Sequence, residues 1–178
     1  MDAFGSGGLA AVAVEPLAKR LGTTKGSFYW HFPHREALVA AALALWEQRS
    51  TSATIEALAG EADPAVRLRL LFTRVSGYAG QSQVEANLLA ATSHELVGEV
   101  VRRVVQRRIS YVVGLFAEVG FGKGEATRRG VLAYAAYVGH DELAARLPGA
   151  LPLRGPASLG RYVDTVLDLL LRDAPERT

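Results

Sequence analysis

Apolar residues recur at spacings of three and four from one end of this chain to the other, a pattern that leaves room for little except helices. No stretch alternates apolar and polar with period two, and no Asn-Gly or Asp-Gly pair stands between β-branched runs to turn a hairpin. The expected fold class is all-α. With 178 residues, 49% of them hydrophobic and 21% charged, the chain can bury a core of ordinary globular type. No apolar run approaches the roughly 18 residues of a membrane span, and MDAFGSGG has neither the charged nor the apolar region of a signal peptide. A cytoplasmic location without membrane contact is expected. The absence of cysteine excludes a disulfide scaffold, a thiolate metal site and a cysteine nucleophile.

Punctuation divides the chain. Gly5 to Gly8 reads as a loop, and a short helix over 14–21 stops at Gly22, a natural left-handed position. Thr24 can cap a second short helix to about Phe32. Pro33 ends it, and a helix over 34–49 follows with Ala37, Leu38, Ala41 and Leu45 on one face. Asp63-Pro64 is an N-cap and first-turn proline opening a helix over 64–80. A shorter helix over 83–91 comes next, then one capped by Ser93 and running to Val119, apolar enough for the centre of a bundle. Helices over 125–146 and 157–173 close the chain around the segment LPGALPLRGP.

The stretch TTKGSFYWHF at 23–32 sets five rings, counting the imidazole, at five consecutive positions. On a helix at about 100° per residue, Phe28 and Phe32 share a face that can anchor to neighbours. Gly26 and Trp30 lie nearly opposite, flanked by Ser27 and Tyr29. One core cannot take all of these rings, so part of the cluster faces outward. A phosphate backbone beside a groove suits that outer face. Gly26 permits close approach, Lys25, Tyr29 and the helix N-terminus suit phosphate oxygens, and Ser27 and Trp30 reach base edges. The net charge is only +2, yet residues 16–35 hold Lys19, Arg20, Lys25 and Arg35 and no acid. Helix, turn at Gly22 and second helix make a helix-turn-helix arrangement.

The run VAVEPLAKRLGTTKGSFYWHFPHREAL resembles the DNA-binding domain of tetracycline-repressor (TetR) family transcription regulators, over about residues 1–49. The resemblance implies a helix-turn-helix domain over 1–49 and a larger helical bundle over 50–178 that binds an effector and forms a homodimer. It implies that Thr24, Lys25, Gly26, Ser27, Tyr29, Trp30 and His31 lie on the recognition helix, and that Arg35 offers a cation to phosphate. Two departures stand out. The family's first helix begins well before Met1, so that only MDAF could be its end and the helix is expected to be truncated. Ala13 replaces the usual Ser/Thr cap, a loss of about 1 kcal/mol.

Polar or aromatic residues within otherwise apolar helices are Tyr78, Asn87, Thr92, His94, Tyr111, Tyr134 and Tyr137, the candidates for an effector pocket. The richness in Ala, Val and Leu suggests an apolar or aromatic effector. Small residues Gly130, Ala133, Ala135, Ala136 and Gly139, with spare apolar surface on the final helix, suggest a two-fold dimer through the last two helices. Arg102, Arg103, Arg107 and Arg108 read as a solvated edge. His31 and His34 are interrupted by Pro33 and make no metal site. GSGG follows no strand, and FGKGEA lacks both the upstream glycine and the Ser/Thr of a P-loop. No cofactor, metal or catalytic motif is therefore expected. The resulting reading is a DNA-binding regulator, most simply a repressor released from a palindromic operator. A helical protein-interaction module and a ligand-binding or enzymatic bundle remain open beside it.

Overall fold

The computed structural model describes residues 1–76 and 79–175, without the side chains of 79–82. Ten α-helices carry the described chain: α1 Asp2–Gly7, α2 Val14–Arg20, α3 Lys25–His31, α4 Arg35–Glu47, α5 Ala53–Leu58, α6 Pro64–Ser76, α7 Ala79–Ala90, α8 Glu95–Val119, α9 Lys123–Arg146 and α10 Gly155–Leu170. A 3₁₀ turn, Leu9–Ala11, joins α1 to α2, and a π-helical turn, Gln48–Ser52, joins α4 to α5. No described residue is in a strand, and no helix among them is long and apolar enough to cross a membrane.

Local signals explain the first elements. Gly22 takes a φ of +65°, letting the chain reverse between α2 and α3 with no steric demand from neighbours. Thr24 Oγ1 accepts the Ser27 amide at 3.1 Å and starts α3. Phe32, before Pro33, is extended and ends it. His34 Nδ1 then accepts the Ala37 amide at 3.2 Å and caps α4.

Gly5 to Gly8 is not the loop its composition suggests, because α1 runs through Gly7 and only Gly8, at φ +61°, stops it. Tertiary contact overrides the glycines' poor helix propensity here. A Cβ at Gly5 would stand 3.3 Å from Val84 on α7, so the bare backbone lets the two helices close on each other. Asn87, also on α7, donates to the carbonyls of Phe4 at 2.7 Å and Gly5 at 3.1 Å, tying the last turn of α1 to α7. Phe4 is buried in the process.

Two apolar clusters build the molecule. Phe4, Val12, Val39, Leu43, Trp46, Leu88, Val97, Val101 and Val104 join α1 and α4 to α7 and the first half of α8. Leu58, Leu68, Phe72, Val112, Phe116, Ala133, Val163 and Leu167 join α5, α6 and the second half of α8 to α9 and α10. The long α8 belongs to both. On α4 the buried face is Val39, Leu43 and Trp46, whose phase on the helix turns them to α8; of the expected Ala37, Leu38, Ala41 and Leu45, Leu38 packs partly against this cluster while Ala41 and Leu45 are exposed. Nor does Ser93 cap α8; the N-cap is His94, with no side-chain hydrogen bond. Gly98, one turn in, passes so close to the preceding loop that a Cβ would meet the Thr92 carbonyl at 2.4 Å.

The stripe of small residues on α9 also divides otherwise than expected. A Cβ at Gly130 would stand 2.5 Å from Val113 Cγ2, and Ala133 is buried, so these two seat α9 on α8 within the chain. Ala135 and Gly139 are exposed, beside exposed Val131, Leu132 and Leu143.

Candidate nucleic-acid interface and buried polar cavity

Residues 21–27 form an unbroken exposed surface that leads into α3. Phe28 turns inward and packs on Phe32, with ring centroids 5.3 Å apart. Tyr29 and Trp30 turn outward, 50% and 86% exposed. An indole left this open gains nothing from the fold. Gly26 is equally unneeded internally, since a Cβ there would meet nothing nearer than Thr24 Oγ1 at 3.7 Å. The outer face of α3 is therefore shaped for something outside the chain.

The other expected contacts fall on or beside this face. Lys25 reaches back to Glu15 at 2.8 Å, and the carboxylate's hydrogen bond and charge raise its pKa above the ordinary lysine value. Both side chains are solvent-exposed, so a phosphate can take Glu15's place at little cost. Ser27 Oγ lies 3.1 Å from Thr24 Oγ1, tying both hydroxyls into the helix start. His31 is exposed in the last turn. Arg35 is otherwise occupied: its Nε donates to the Val12 carbonyl at 2.8 Å and a terminal nitrogen to the Leu9 carbonyl at 2.7 Å. It pins the 3₁₀ turn to α4.

A second feature lies in the bundle. Ser50, Thr51, Thr54, Ile55, Leu71, Phe72, Val75, Glu85, Arg108, Tyr111, Val112, Tyr134 and Tyr137 enclose a cavity of about 50 Å³. Arg108 dominates its polar wall. Nε donates to Thr51 Oγ1 and one terminal nitrogen to Ser50 Oγ, each at 2.9 Å, while the other terminal nitrogen pairs with Glu85. The guanidinium also stacks over Trp46, 5.3 Å from the ring centroid. Only 12% of the Arg108 side chain and 10% of Glu85's are exposed. Burial opposes the arginine's charge, but Glu85 outweighs it and holds the pKa above the ordinary value. Burial raises the pKa of Tyr134 and Tyr137, with Glu85 adding to both shifts and Arg108 partly opposing them. Burial likewise raises that of Tyr111, against the pull of Arg67. All three phenols are held as neutral O–H groups.

Of the effector candidates, Tyr111 and Tyr134 line this cavity, as does Tyr137. Asn87 does not, being spent on the α1 carbonyls. Thr92 is exposed and donates to the Leu89 carbonyl at 3.0 Å, a turn contact. His94 sits at the start of α8, away from the lining. Tyr78 lies outside the described residues. Sequence reasoning missed Arg108, Glu85 and the hydroxyls of the π turn. The Arg108 signal was legible: it falls four residues from both Val104 and Val112, on the buried stripe of α8. Arg103 and Arg107 face the rim and pair with Glu47 and Ser52.

An all-α chain that opens with a capped helix-turn-helix, its second helix displaying unsupported aromatics, defines the class: a helix-turn-helix DNA-binding protein with a helical bundle behind it. Residues 1–42 match the model of bacterial regulatory proteins, tetR family. That N-terminal segment is similar to the DNA-binding domain of TetR-family transcriptional regulators, and regulators of that type bind DNA as dimers. The fold of the remainder is similar to solved structures. A transcriptional regulator from Rhodococcus sp. Rha1 superposes with a TM-score of 0.80 at 20% identity, covering 99% of this chain and 94% of that one. A Rhodococcus protein assigned to the TetR-family regulators gives 0.69 at 16% identity, over 94% and 92% of the two chains. Salmonella enterica GusR gives 0.68 at 19%, over 96% and 90%. No curated protein matches the chain.

Proposed function

We propose that this protein is a ligand-responsive repressor that binds a near-palindromic operator as a homodimer and is released by a small effector held in the bundle. The observation that carries the DNA reading is the outer face of α3, where Gly26 and Trp30 have no role within the fold and Tyr29, edge-on to Phe28, leaves half its surface open. Lys25, Tyr29 and the start of α3 at Thr24 bind phosphates; Ser27, Trp30, His31 and the Gly26 backbone meet base edges. Two such helices stand about 34–36 Å apart, in successive major grooves. The dimer forms through α9 and α10, whose exposed Val131, Leu132, Leu143 and Leu169 lack partners in the fold described above.

The cavity suits an effector because its polar wall is tied to α4 and α1, the helices that flank the helix-turn-helix. Arg108 holds the π turn that leads to α4, and Glu85 sits two residues from Asn87, which grips α1. At about 50 Å³ the cavity is a third of the roughly 150 Å³ that holds benzene in a dry protein cavity. An effector of useful size therefore spreads these elements, and its preference for the spread form sets the loss of operator affinity.

The test selects binding sites from random duplex DNA at near-physiological salt, with wild type beside Tyr29→Ala. A palindrome enriched by wild type and weakened in the variant is the expected result. If wild type enriches nothing, the α3 face meets a protein partner instead and the DNA reading is lost.

A further inference from the structure

Resting on the effector reading above, we infer that the cavity takes an uncharged ligand: a small neutral molecule, aromatic or branched aliphatic, with one carbonyl or hydroxyl group. Carboxylates of the same shape are rejected.

The argument is one of charge balance. Arg108 and Glu85 are the two ionised side chains among the described residues of the lining. They pair with each other, so the wall is electrically neutral as it stands. Both terminal nitrogens and Nε of Arg108 already have acceptors, and its face is covered by Trp46. Glu85 is in effect a resident anion attached to the protein. An incoming carboxylate would have to evict it or share the cation with it, and either route leaves one carboxylate buried without a partner. An incoming ammonium meets the converse difficulty, since Glu85 is already taken. Asp141, buried on the same helix as Tyr134 and Tyr137, lies outside the lining, but its charge acts on Tyr137 in the same sense as that of Glu85 and so weighs further against an incoming carboxylate.

What remains available is neutral. Ile55, Leu71, Phe72, Val75 and Val112 supply apolar wall, and the phenols of Tyr134 and Tyr137 supply hydrogen-bond donors beside it. A carbonyl or hydroxyl aimed at those phenols, with a hydrophobic body toward Phe72, satisfies the site without touching the ion pair.

The test uses the full chain carrying Trp30→Phe, which leaves Trp46, beneath Arg108, as the sole indole of the two in the sequence. Its emission is titrated at pH 7 with matched carboxylate and amide pairs: benzoate with benzamide, cinnamate with cinnamamide, 2-naphthoate with 2-naphthamide. At least one amide binds, and does so at least tenfold tighter than its carboxylate. In Glu85→Gln, where Arg108 has lost its counter-charge, the same pair reverses; adding Arg108→Met restores the preference for the amide. A carboxylate that equals or beats its amide in the Glu85-containing chain overturns the inference and leaves an effector site standing. Binding of none of the six overturns both the inference and the cavity as an effector site, while site selection on DNA is judged separately. Should Glu85→Gln fail to fold, the ratio in the Glu85-containing chain decides alone.

Discussion

Arg108 shows how a single residue can be misread by its neighbours. Within the run RRVVQRR it belongs by composition to a solvated edge, yet by phase it continues Val97, Val101 and Val104 into the interior. Phase decided, because a helix buries positions and not compositions. The interior accepts the charge only with Glu85, Ser50 and Thr51 arranged around it, and those partners come from segments far away in sequence. Removing one member of the pair strands the other. Arg108→Met alone is expected to cost about 3–5 kcal/mol and Arg108→Met with Glu85→Leu much less, as urea unfolding will show. Gly26 gives the opposite kind of test. Since a Cβ has room there, Gly26→Ala should raise stability by about 0.5–1 kcal/mol while weakening operator binding, a divergence read by thermal melting beside DNA titration. At Gly98 both would fall together, because Gly98→Ala drives a Cβ into the Thr92 carbonyl; a loss of about 1–3 kcal/mol is expected in the same melt.

At the scale of elements, the helices announced by caps and prolines were legible and those held by tertiary contact were not. Thr24, Pro33 and Asp63-Pro64 mark their boundaries through local hydrogen bonds, and Asp63 Oδ1 does accept the Ala65 amide at 2.8 Å. Nothing local predicts α1. Its glycines argue for a loop, and only the close approach to Val84 and the grip of Asn87 make it a helix. The pocket candidates divide for a related reason: Tyr111, Tyr134 and Tyr137 line the cavity, whereas Asn87 and Thr92, near helix ends, spend their side chains on backbone carbonyls and His94 lies outside the lining. Asn87→Ala should therefore loosen α1 in particular: faster hydrogen exchange at the amides of residues 5–8, with the exchange of α8 unchanged.

For the whole molecule, α8 is the axis on which both clusters close, and the apolar richness of the sequence pointed to it correctly. What the sequence could not separate was packing within the chain from packing between chains, since both ask for small and apolar residues. The structure divides them: Gly130 and Ala133 turn in, Leu132 and Leu169 turn out. If α9 and α10 form the dimer, Leu132→Glu with Leu169→Glu should yield a folded monomer in sedimentation. Operator affinity should then fall by tenfold or more, since each half-site must be held alone.

The π turn at Gln48–Ser52 is an insertion in a text otherwise written in one frame. Each α-helical residue advances the phase by about 100°, so one extra residue lets Val39, Leu43 and Trp46 address the valines of α8 while Thr51, Thr54 and Leu58 address the bundle. Deleting a single residue there would change the composition hardly at all and put every later side chain out of frame. What this segment stores is a length.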